Sequence, residues 1–70
     1  MGKGFQLRIR EMNGKAFCDE FTGEFDDHRK REEVYRILHN VASGVVNGIT
    51  HGSCIDSNEN KVGTWCFYEE

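Results

Sequence analysis

The stretch from His51 to Lys61, with Cys66 beyond it, carries the residue types from which metal sites are made. His51 and Cys54 stand at a spacing that suits two zinc ligands. Asp56, Asn58 and Asn60 fill the first, third and fifth positions of an EF-hand-like calcium loop. Each pattern then fails. Lys61 brings a positive charge to the place where the calcium loop needs glycine, and Phe67 stands where its closing glutamate belongs. Zinc sites use two short-spaced ligand pairs, and the remaining cysteines, Cys18 and Cys66, are single. There is no Cys-x-x-Cys for redox chemistry, and no base is evident beside a cysteine to make it a nucleophile. Asp and Asn that bond their own backbone make turns, so the stretch reads as a β-hairpin with inert thiols.

Other chemistries leave less trace. No Ser-His-Asp set, glycine-rich phosphate loop or paired-carboxylate signature occurs. His28 and His39 have no evident partners. Catalytic, cofactor and metal residues are therefore assigned to none of the positions, and an enzyme is not expected. The basic run 28–31 is flanked by acids, and Arg29 with Glu33 and Glu32 with Arg36 form i,i+4 pairs of a solvated helix face. Arg8 and Arg10, with Lys3 and Lys15, could contact phosphates while Tyr68 stacks on a base. A net charge of −3 weighs against nucleic acid as the partner. Asp19, Glu20 and Glu24 lie in an acidic segment, 19–27, beside Phe25, and an acidic patch around an aromatic suits a basic protein surface.

These side chains must be held by few elements. Phe5 to Glu11 alternate as a half-buried strand, with Phe5, Leu7 and Ile9 on one face and Gln6, Arg8 and Arg10 on the other. Asn13-Gly14 signals a tight hairpin turn, which makes Lys15 to Phe21 a second strand. Asp26 or Asp27 caps a helix over 28–46 with a stripe of Val34, Ile37, Leu38, Val41 and Val45, stopped by Asn47-Gly48. Residues 49–56 and 62–69 form the remaining strands. The order ββαββ predicts an α+β fold: a four-stranded antiparallel sheet of two hairpins with one helix on one face. On that arrangement Trp65 and Phe67 face the helix with Ile49, His51 and Ile55, while Cys18, Cys54, Cys66 and Tyr68 lie on the open face.

Seventy residues make one domain, 1–70, with a small core for which oligomerisation is a natural supplement. A chain without proline and 37% hydrophobic is a folding composition. No run is long and apolar enough to span a membrane, no secretory leader is evident, and Gln6 stands where N-myristoylation wants Ser or Thr. A soluble, cytoplasmic chain with free thiols is expected, with no membrane partner. The function expected is that of a small accessory or regulatory protein acting by protein–protein binding. The size and acidity suit stoichiometric inhibitors of the kind phages and mobile elements encode. The partner is another protein or a second copy, bound through Arg8, Arg10, Cys18, Cys66 and Tyr68 on the sheet or through Asp19, Glu20 and Glu24. The alternative is a nucleic-acid-binding module using the basic face of the first strand.

Overall fold

The computed structural model describes residues 2–12 and 14–69. Strand β1 (Lys3–Ile9) is followed by a single 3-10 turn (Lys15–Phe17), helix α1 (Asp27–Val46) and strands β2 (His51–Ile55) and β3 (Lys61–Glu69). The sheet is antiparallel with three strands in the order β1-β3-β2. This corrects the expectation of four strands in ββαββ order. Asn13, half of the expected Asn13-Gly14 turn, lies outside the described residues, but Gly14 has φ −75°, not the positive φ of a type I′ hairpin.

The missing strand has a physical cause. Ala16 and Phe17, neighbours in sequence, are both buried. A strand with one covered face cannot bury two successive side chains, whereas a turn can. Phe17 N–H bonds to the Gly14 carbonyl at 3.0 Å, and Cys18 N–H to that of Lys15 at 3.1 Å. Asp19 then ends any extended run by accepting the N–H groups of Phe21 and Thr22 at 2.7 and 3.0 Å. Gly23, at φ +75°, completes the reversal, and Cys18 pairs with Phe25 in one isolated bridge. Side chains that bond nearby backbone compete with ladders in this way.

Helix α1 begins where its cap dictates: Asp26 Oδ1 accepts the His28 N–H at 3.1 Å. It ends at Asn47, and Gly48 takes φ +91°. Its apolar stripe is wider than the sheet covers. Glu33, Ile37 and Val41 are buried, while Leu38 is left 46% exposed.

Strand β3 is central. Its Trp65 is buried and stacked over β2, where a methyl on Gly52 would stand 2.8 Å from the indole nitrogen. The register of β2 reverses the expected facing: Gly52 and Cys54 share a face with Trp65, while His51 and Ser53 lie opposite Cys66 and Thr64 on the outer face. A register shift at Cys54/Ile55 then leaves Ile55 exposed. The core comprises Phe17, Ile37, Val41, Cys54, Val62 and Trp65 with Ala16. The molecule is elongated, with extents of 48 × 22 × 18 Å and a radius of gyration of 13.7 Å. A compact chain of this length would have about 11 Å. Among the described residues, no helix is long and apolar enough to cross a membrane.

Candidate functional site

Because residues 15–21 do not form a strand, β1 is an edge of the sheet and its inner face is only partly covered. The surplus of the helix stripe faces the same gap. Phe5, Leu7 and Phe67 from the sheet meet Leu38, Ala42 and Val46 from α1 across a cleft of about 480 Å³ with an almost wholly apolar lining. Phe5 packs edge-on against Phe67, with ring centres 5.1 Å apart, and lies 5.9 Å from Trp65. Phe5 and Phe67 form the aromatic floor of the cleft. Leu38 continues the apolar surface toward Met12 and Val34, where Lys30 and Arg31 form a basic rim.

The outer face of the sheet is different. Gly4, Gln6 and Arg8 lie opposite Tyr68, Cys66 and Thr64. A methyl on Gly4 would collide with the Tyr68 ring, so the glycine lets that ring lie flat across β1. Arg8 and Tyr68 are therefore on this face as expected, and Cys66 is half-buried there between Gln6 and His51. Cys18 and Cys54 are not. Cys18 closes the 3-10 turn away from the sheet, its thiol donating to the Gly14 carbonyl at 3.4 Å. Cys54 is buried under the helix, and burial pushes its thiol pKa up. Arg10 lies beyond β1, where its N–H and that of Glu11 share the Val62 carbonyl at 2.7 and 3.3 Å.

The acidic segment is an exposed loop in which Phe21 is 91% accessible. Asp19 is committed to its own loop, because the Phe21 and Thr22 N–H groups hold its carboxyl below the usual carboxylate range. Glu20 and Glu24 project into solvent.

The stretch that resembled a metal site is spent on structure. Asp56 is buried, and its Oδ1 accepts from the Asn58 and Asn60 N–H groups at 2.9 and 2.8 Å. His51 and Cys54 lie on opposite faces of β2 and cannot converge on one ion. No group of three potential metal ligands occurs among the described residues.

One cluster has no counterpart in the sequence patterns. Buried Glu33 accepts through Oε1 from Arg36 Nε at 2.7 Å, Arg36 Nη2 at 2.6 Å and the Ser57 N–H at 3.1 Å. Arg36 Nη2 also reaches the Ile55 carbonyl at 2.8 Å. The expected pairs Arg29–Glu33 and Glu32–Arg36 are thus replaced, with Glu32 instead meeting His28 at 2.8 Å. The i,i+3 spacing of Glu33 and Arg36 was a usable signal, but their joint turn toward the β2–β3 connection was not. The cluster pins the helix to that turn, and among the described residues no fully buried side-chain polar atom lacks a partner.

Comparison with protein-family models, curated proteins and solved structures finds no match for this chain.

Proposed function

We propose that this is a non-enzymatic accessory protein that works by holding a protein partner, and that the partner seats in the cleft between α1 and β1. The observation that carries this reading is an apolar cleft lying directly beside an unpaired strand edge. Together they offer a polypeptide both contact area and main-chain hydrogen bonds. The cleft lining presents almost no polar group for chemistry or for orienting a small substrate. A photo-crosslinking amino acid at position 38, in the cleft, is expected to yield protein adducts, and the same group at position 68, on the outer face, few. Adducts from position 68 and none from position 38 would overturn the reading.

A second reading, nucleic-acid binding, is favoured by the outer face. Arg8, His51 and the flat Tyr68 ring share it, and no Asp or Glu occupies an outward position of the three strands. It expects oligonucleotide affinity that falls steeply with salt and weakens in Arg8→Ala and Tyr68→Ala. Salt-independent or absent binding excludes it.

A further inference from the structure

We infer that the occupant of the cleft is a second copy of this chain, joined edge to edge through β1 about a two-fold axis at Leu7. The inference rests on the cleft being a docking surface and names what docks.

The ladder shows which backbone groups are free. Phe67 N–H donates to the Thr50 carbonyl at 2.9 Å, on the β2 side. In an antiparallel pair a residue's N–H and C=O point the same way, so Phe67 and its partner Phe5 form a non-hydrogen-bonded pair. Gly4, Gln6 and Arg8 then bond to β3, a series that Arg10 continues to Val62. Lys3, Phe5, Leu7 and Ile9 turn their main-chain groups to the open edge.

The two edges of the sheet are not equally guarded. β2 has five residues, is broken by the shift at Cys54/Ile55, and already gives its Ile55 carbonyl to Arg36. β1 has seven residues, no proline and an unbroken register. Short, bulged and covered strands resist pairing, and long regular ones invite it.

The side chains select one register. With Leu7 on the axis, Phe5 faces Ile9 of the second copy, Leu7 faces its counterpart, and Arg8 faces Gln6 of the second copy. Moving the axis to Arg8 opposes two arginines, and moving it to Gln6 places Lys3 against Ile9. Only the Leu7 register matches all three apolar inward residues with one another. Such an axis stands perpendicular to the sheet, so both inner faces stay on one side and the two clefts become one.

The area is adequate. Phe5, Leu38, Phe67 and Val46 are 44, 46, 48 and 83% exposed. With whole aromatic side chains near 200 Å², these four leave on the order of 400 Å² of apolar surface per copy. Two such surfaces and two strand edges reach roughly 1,200 Å² in total, the lower end of stable interfaces.

The test begins with the unmodified chain. Sedimentation from about 1 to 500 µM, a range suited to an interface of this size, should show growth from the chain mass of 8.1 kDa to twice that value. Amide exchange should follow: the Phe5, Leu7 and Ile9 N–H groups gain protection as concentration rises, while Gln6 and Arg8 are protected throughout. Phe5→Pro removes an edge N–H together with the Phe5 ring, leaves the β1–β3 hydrogen bonds in place, and should weaken association at least ~30-fold. Tyr68→Ala should not. A chain that stays at 8.1 kDa throughout, or a dimer whose Phe5, Leu7 and Ile9 amides exchange freely, overturns the inference. If the chain is monomeric and position 38 crosslinks to another protein, the docking reading stands and self-pairing falls. If position 38 crosslinks to nothing, both fall.

Discussion

Replacing Glu33 with alanine tests the cluster that pins α1 to the β2–β3 turn. The substitution removes the acceptor for two Arg36 contacts, at 2.7 and 2.6 Å, and for the Ser57 N–H at 3.1 Å. Hydrogen bonds involving a charged group contribute about 1.5–3 kcal/mol, and a stranded backbone N–H costs about 1 more. Arg36 is 39% exposed and keeps its bond to the Ile55 carbonyl, so its charge is largely rehydrated. The expected loss is therefore about 2–3 kcal/mol, below the ~3–5 of a fully buried broken pair. For a chain of this size that lowers Tm by roughly 10–20 °C. Thermal and urea unfolding followed by helical circular dichroism measure it directly. Glu33→Gln, which keeps an acceptor for Ser57, should lose about half as much. In the double-mutant cycle with Arg36→Ala, a coupling of about 1–2 kcal/mol is expected. If the two single losses add to within ~0.5 kcal/mol, Glu33 and Arg36 do not act together and the reasoning is wrong.

Further outcomes follow from the packing and the titrating groups. Gly63→Ala would drive a methyl into the Arg8 carbonyl, so the β1–β3 pairing should be lost, seen as rapid amide exchange at Gln6 and Arg8. Of the three thiols, Cys54 should react slowest with a disulfide reagent, because it is buried and its pKa is raised. The fold also holds the Cys54 proton more tightly than the unfolded chain does. Stability from this group is thus level below the thiol's ordinary value of 9.0 and falls as pH rises past it, which alkaline unfolding curves of Cys54→Ala against the parent would reveal. Asp19 has the opposite sign. Its lowered pKa contributes stability above 3.8 that is lost as pH falls below, so its carboxyl resonance should titrate below that value, and Asp19→Ala should speed proteolysis within 20–24.

Much of this fold is legible where local chemistry and periodicity agree. Asp26 and Gly48 mark the ends of α1, and alternation locates β1 and β3, because each signal acts within a few residues. Residues 15–21 mislead because Phe17 and Phe21 keep a strand's spacing while Asp19 closes a loop between them. Only the burial of both Ala16 and Phe17 against α1 decides the contest. The facing of β2 is decided by the fit of Trp65 over Gly52, a contact between strands that no single strand encodes. The cleft was hidden for the same reasons. It exists because the second strand is absent and because Glu33 draws the helix round, leaving Leu38 and Val46 at the rim. Alternation puts Phe5 and Phe67 on one face and Arg8 and Tyr68 on the other, as the register has them, but it carries no sign that both phenylalanines stay half exposed.

The strand order also dictates a timetable for synthesis. β1 and β2 each pair with β3 and not with each other. β3 emerges from the ribosome after both, so neither earlier strand has a partner until residues 61–69 are made. Helix α1 closes its own hydrogen bonds and can form in the meantime. Phe5, Leu7 and Ile9 must wait without a strand partner until residues 61–69 are made, and sheet assembly is a single event in which β3 joins both strands.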